Sequence, residues 1–300
     1  MKHKLKITLI LLSMFLVTQF LGLYVVHYYS LAGHALPFGL QSPQPQTASD
    51  YGSLFTGILF AFVFAILLFF FLTKFKISFV LKAWFFIVVV MALSIFFLTI
   101  IPKNLNYALT IALAIALVLA FEKIYRQNIV VHNLTELWVY PGIAAVFVPL
   151  LNVWTVVILL IVISLYDMWA VWHSGVMQKM AEYQIDNLKI FSGFFVPYAS
   201  KGTKARIKKW KATLTKKQLS KKKVKVNLAI LGGGDVVFPI IAAGVVLLSQ
   251  GFFQALFVTF GATLGLSYLF FFAQKKKFYP AMPFISTGIF IGMILGHLIL

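Results

Sequence analysis

The chain of 300 residues has no cysteine and only seven acids: Asp50, Glu122, Glu136, Asp167, Glu182, Asp186 and Asp235. The missing cysteine excludes disulfides, thiolate nucleophiles, thiolate zinc sites and iron–sulfur clusters. Charged residues make up 11% of the chain, where a soluble domain has about 25%. A zinc-binding HExxH run and a serine GxSG run are also missing, and the six histidines, His3, His27, His34, His132, His173 and His297, are scattered and read as structural or interfacial. What is abundant is apolar: 61% hydrophobic residues, 17% aromatic, 32 of them Phe, at a mean hydropathy of +0.95. A water-soluble fold cannot hide that much apolar surface, so the class is an all-α polytopic membrane protein.

A spanning helix needs roughly 20 mainly apolar residues. Nine such segments are expected near Ile7–Tyr29, Leu54–Thr73, Ala83–Ile101, Leu105–Phe121, Leu134–Leu151, Val153–Trp172, Val226–Ser249, Phe252–Ala273 and Phe278–Leu300. Met1–Leu23, basic and then apolar, has too long an apolar run for a cleaved signal and is expected to stay as the first helix. The basic residues support this count. With the N-terminus in the cytoplasm, every Lys and Arg except Lys103 falls on the cytoplasmic side, as the positive-inside rule requires. The net charge of +19 therefore reads as topology rather than nucleic-acid binding. Lys201–Lys225 holds twelve Lys or Arg and no acid, a solvated cytoplasmic loop with some attraction to anionic lipid. The apolar stretch KIFSGFFVPYAS, residues 189–200, is too short to span and is expected at the interface or against the bundle.

Among the acids, only Asp167 and Asp235 are expected well inside apolar spans; Asp50, Glu122 and Glu136 are read as loop or membrane-edge residues. A carboxylate at membrane depth costs at least ~2.5–3.5 kcal/mol and marks a functional site. By helix rise, Asp235 would lie roughly 13 Å and Asp167 roughly 8 Å from the cytoplasmic face, a shared layer in which they can meet. Asp235 closes a Gly232-Gly233-Gly234 run, which removes bulk beside the acid and weakens a helix. The ninth span opens Tyr279-Pro280-Ala281-Met282-Pro283, and two prolines there either free carbonyls or begin a helix in the ordinary way.

Tyr166-Asp167, Gly232-x-Gly234-Asp235 and Pro280-Ala281-Met282 stand in order on the sixth, seventh and ninth spans. This pattern resembles the YD, GxGD and PAL signatures of the presenilin and signal-peptide-peptidase family of intramembrane aspartyl proteases, and its prokaryotic presenilin-like members in particular. The likeness is best over Val153–Leu300, with Met282 in place of the usual Leu. It implies supporting helices over residues 1–152 and catalytic helices over 153–300, with a basic cytoplasmic loop at 173–225. It also implies that Asp167 and Asp235 catalyse hydrolysis, that Tyr166, Gly232, Gly233, Gly234, Pro280, Ala281, Met282 and Pro283 help position substrate, and that the substrates are transmembrane helices or signal-peptide remnants. A cytoplasmic N-terminus looks like presenilin and implies type I substrates. No cofactor, metal or nucleic acid is expected, self-association is left open, and the expected home is the cell membrane. The competing reading is an ion or proton transporter that uses the same two aspartates as a relay.

Overall fold

The computed structural model describes residues 5–40, 43, 45, 47–75, 77–102, 104–126, 128–174, 192–198, 227–273 and 279–300. Most of the basic loop at 173–225, including Lys201–Lys225, lies outside them, as do Lys2, Lys4, Lys76, Lys103 and Lys275–Lys277.

Nine apolar helices occur among the described residues. They are α1 (Leu5–Val26), α2 (Ala48–Lys74), α3 (Ser78–Leu98), α4 (Ala108–Phe121), α5 (Ile129–Phe147), α6 (Val153–Trp169), α7 (Gly234–Gln250), α8 (Phe252–Phe272) and α9 (Met282–Ile299). Wide turns prolong α1 to Leu31, α4 to Arg126 and α6 to Ser174. With those extensions eight helices are long and apolar enough to cross a membrane, while α7 has 17 residues. Each lies within a few residues of its expected span except α7.

The expected seventh span, Val226–Ser249, is half wrong in kind. Its first part is a strand, β2 (Asn227–Gly232), and the helix begins only at Gly234. β2 pairs antiparallel with β1 (Gly193–Tyr198), so the middle of the stretch KIFSGFFVPYAS is a strand lying on the bundle, its two ends being outside the described residues. The reason is visible in the alternation: Ala229 and Leu231 are buried, Leu228 and Ile230 exposed. Three glycines then refuse a helix start before position 234. Asp235 consequently stands in the first turn of a helix, not nine helical residues inside one.

One core joins α1, α5, α6, α7, α8, α9 and the hairpin, through Phe15, Tyr140, Leu160, Phe194, Ile240, Leu266 and Ile285, all essentially inaccessible. Close backbone contact locks α8 to α9: a methyl group on Gly261 would strike the Gly288 carbonyl, and one on Gly288 the Gly261 carbonyl. Small residues of this kind are how helices associate where lipid removes the hydrophobic drive. α3 and α4 pack as a satellite around Val89, Leu93, Ala116 and Ala120, and α2 stays at the periphery with most of its surface exposed.

Candidate active site

Asp167 comes from the last turn of α6, a helix whose start is fixed by reciprocal capping between Asn152 and Thr155. Asp167 is 4% exposed, and its Oδ2 accepts the Met282 N–H at 3.0 Å. Met282 is the first residue of α9, where backbone N–H groups have no partner within the helix. The Ala281 amide faces the same carboxylate. A carboxylate at a helix N-terminus is favoured by both the free donors and the dipole. Pro283, second in α9, occupies a position that loses no hydrogen bond, so the prolines begin the helix in the ordinary way. One turn deeper, the buried Ser164 hydroxyl donates to Ser286 Oγ at 3.0 Å and ties α6 to α9 again.

Asp235 is the second residue of α7 and half-buried. The Gly232 amide hydrogen-bonds back to its carboxylate, and a side chain at 232 would come 3.1 Å from Asp235 Oδ2. At Gly233 a Cβ would lie 2.7 Å from the Tyr140 hydroxyl and strike Ser192 Oγ. The Gly233 N–H donates to the Ser192 carbonyl at 3.2 Å, which joins the turn to the residue before β1. Pro239, four residues on, brings no N–H to the Asp235 carbonyl. Gln19 of α1, fully buried, donates from Nε2 to the Val236 carbonyl at 3.1 Å and braces the same turn. Helices α6, α7 and α9 pack on one another, and the two carboxylates lie within electrostatic reach. The arrangement can hold two acids that compete for one proton.

The profile of the family described as "Signal-peptide peptidase, presenilin aspartyl protease" matches residues 12–300. The chain belongs to this family. Its fold is similar to two crystal forms of a presenilin family intramembrane aspartate protease. The C222 form superposes with a TM-score of 0.61 at 17% identity, covering 98% of this chain and 99% of that one. The P2 form gives 0.58 at 18% identity, with 97% of each chain covered. No curated sequence matches the chain. As a member of the signal-peptide-peptidase and presenilin family, the protein is an integral membrane aspartic endopeptidase that acts on transmembrane substrates. The transporter reading finds no support.

Within this presenilin-like frame, the expected site residues do not all converge. Asp167, Asp235, Gly232, Gly233, Ala281 and Met282 do. Tyr166 instead turns its ring toward Trp169, with centroids 6.2 Å apart. Gly234 has only ordinary contact, its Cβ position lying 3.6 Å from the Phe238 ring. Pro280 is buried just before α9.

One sequence reading is sharpened: Glu136, read as a loop or membrane-edge residue, lies within α5 and is 1% exposed, paired with the almost equally buried Lys123 in the α4 extension and with His132 Nε2 at 3.5 Å. The spacing of His132, Glu136 and Tyr140, four residues apart on one helix face, was the available signal. Nothing local in the sequence announced Gln19 or the Ser164–Ser286 pair.

Proposed function

We propose that Asp167 and Asp235 form the catalytic pair that cleaves peptide bonds inside transmembrane helices, with no other group needed for the chemistry. The observation that supports this reading is that α6, α7 and α9 pack on one another with Asp167 seated on the first residues of α9 and Asp235 in the first turn of α7, each within electrostatic reach of the other. Like charges at close range cannot both ionise cheaply, so the pair holds one proton between them. The unprotonated acid takes a proton from water as the water oxygen attacks the substrate carbonyl carbon. The protonated acid gives its proton to the carbonyl oxygen. The resulting diol collapses as one hydroxyl proton returns to the pair. The C–N bond breaks, the leaving nitrogen takes a proton from the other acid, and the pair again holds one.

A helical substrate hides its carbonyls and must unwind before attack. The register pairs Phe195 with Ile230, and Phe195 directs both backbone groups away from β2 toward α5. In an antiparallel ladder, Ile230 and, two residues away, Leu228 then turn their N–H and C=O groups away from β1. No third strand covers that edge among the described residues. It runs directly into Gly232 and Asp235, so an unwound segment added there brings its carbonyls past the pair. The site opens toward the cytoplasm, where the N-terminus and the basic loop at 173–225 lie, the loop drawn to anionic lipid of the cell membrane. Substrates of type I orientation follow from that placement.

The test is cleavage of a transmembrane peptide by purified protein in detergent or liposomes. Asp167→Ala and Asp235→Ala each leave insertion and folding intact and lower turnover by roughly 10²–10⁴-fold or more. Cleavage retained by either folded variant rules out the pair.

A further inference from the structure

β1 has two edges, and only one belongs to β2. Along that edge Phe194 lies opposite Leu231 and Val196 opposite Ala229. The other edge is occupied by a helix. Asn133 of α5 donates from Nδ2 to the Phe195 carbonyl at 2.7 Å, and its Oδ1 accepts the Phe195 N–H at 2.9 Å. A side-chain amide that takes both backbone groups of one residue does what a neighbouring strand does at a hydrogen-bonded pair. Pro197, of the same parity as Phe195, has its missing N–H on this helix side, so the ladder to β2 loses nothing.

The grip continues toward the glycine turn. His132 Nε2 lies 2.7 Å from the Gly193 carbonyl, and the Gly193 N–H points to Glu136 Oε1 at 3.4 Å. Gly193 has φ +147°, a backbone that side chains rarely adopt, so it is held in a conformation that suits glycine. On the next turn of α5 the Tyr140 hydroxyl meets Ser192 Oγ at 3.3 Å, and the Ser192 carbonyl in turn takes the Gly233 N–H. Residues 132, 133, 136 and 140 thus form one stripe along α5, following β1 from Phe195 to the turn that carries Asp235. An isolated two-stranded ribbon is marginal, and its register is weakly set unless something outside pins it.

We propose that Asn133 is a positioning residue: by standing in for a strand on β1, it sets the register of the hairpin against α5 and so selects which substrate peptide bond reaches Asp167 and Asp235. This inference rests on the reading that the two aspartates cut a segment laid along β2. Without the amide, α5 holds the strand only at Ser192 and Gly193, and the part of β1 from Phe195 onward is released to shift along α5, by roughly 3.3 Å for each residue of slip.

The experiment is mass analysis of the fragments released from one transmembrane peptide by the full-length protein. Asn133→Ala should release fragments shifted by one or two residues, with kcat down roughly 10- to 100-fold and KM little changed, since a misplacement of about 1 Å is enough. Asn133→Asp keeps the shape and the acceptor for the Phe195 N–H but sets a carboxylate oxygen against the Phe195 carbonyl. It should shift the fragments too, and it decides the matter if the alanine variant does not fold. Asn128→Ala is the control, because Asn128 caps α5 by accepting the Val130 N–H at 2.9 Å and does not touch β1. It should lower stability and leave the cleavage positions native. Native positions from the folded Asn133 variants overturn the proposal, and so does an equal shift in Asn128→Ala. Cleavage by Asp235→Ala in the same assay would instead sink the underlying catalytic reading.

Discussion

Asp235 and Asp167 reach the same place from opposite ends of their helices. Asp235 stands in the first turn of α7, where the helix's own free N–H groups favour a carboxylate. Asp167 stands in the last turn of α6, where carbonyl ends oppose one, and the N–H groups at the start of α9 supply what α6 withholds. Such helix-end effects are worth about 0.3–1 kcal/mol at a surface and up to ~2 kcal/mol when partly buried. The seat of Asp235 is therefore a strand, a glycine turn and the helix α5 behind them. That of Asp167 is the docking of one helix end on another, 115 residues away in sequence. Damage to the first should act through local geometry, and damage to the second through the α6–α9 contact.

The sharpest break is at the glycine turn. Gly233 has φ −65° and ψ −34°, an ordinary right-handed backbone that alanine also adopts, so its reason for being glycine is space. Gly233→Ala pushes a methyl group into Tyr140 and Ser192, moves Asp235, and should lower kcat roughly 10²-fold. Gly234→Ala, with only the Phe238 ring nearby, should cost far less. Combining Gly233→Ala with Tyr140→Phe and Ser192→Ala removes both obstructing oxygens and should recover part of the rate. Equal losses in the two single glycine variants would show that crowding from α5 is not the cause.

Behind the turn sits the ion pair of Lys123 and Glu136, both almost fully buried. Lys123→Met leaves the Glu136 charge uncompensated and should lower stability by about 3–5 kcal/mol, read as thermal loss of activity and of folded protein. Adding Glu136→Gln keeps an acceptor for the Gly193 N–H and should return most of that loss. If Lys123→Met were as stable as the native protein, the pair would hold nothing in place. The Asp167 side has no such buried ion pair among the described residues; its equivalent is a pair of hydroxyls.

This difference also explains what could be read from the chain beforehand. Asp167 and Asp235 were legible because a carboxylate in an apolar span is costly and stands out, Pro280-Ala281-Met282 was legible through its likeness to a family signature, and all the apolar runs but the seventh give their helices directly. Asn227–Gly232 was not legible as a strand, because Asn-Leu-Ala-Ile-Leu reads equally well as the opening of a buried helix. Its partner, Gly193–Tyr198, is remote in sequence, and no local pattern announces the pairing. Glu136 looked like an edge residue since the lysine that neutralises it lies 13 residues earlier, on a different helix. The parts of the site legible in sequence are its charges; the parts hidden are the long-range contacts that aim them.

The smallest effect expected lies on the Asp167 side. Ser164 donates its hydroxyl to Ser286 Oγ one turn from the Asp167–Met282 bond, and both side chains are buried. Ser286→Ala strands the Ser164 hydroxyl in an apolar interface and should cost about 1–3 kcal/mol of stability. Removing both hydroxyls leaves nothing unpaired, so Ser164→Ala with Ser286→Ala should lie close to the native protein in thermal unfolding. The two singles summed against the double form a cycle that isolates the contact. Turnover gives the second readout. If α9 donates to Asp167 only while docked on α6, Ser286→Ala should lower kcat together with stability, and the double variant should restore both. A double variant that regains stability but stays slow would mean that the hydroxyl pair aims α9 at Asp167 beyond merely holding the helices together. That result would make the Asp167 seat as dependent on side-chain register as the Asp235 seat.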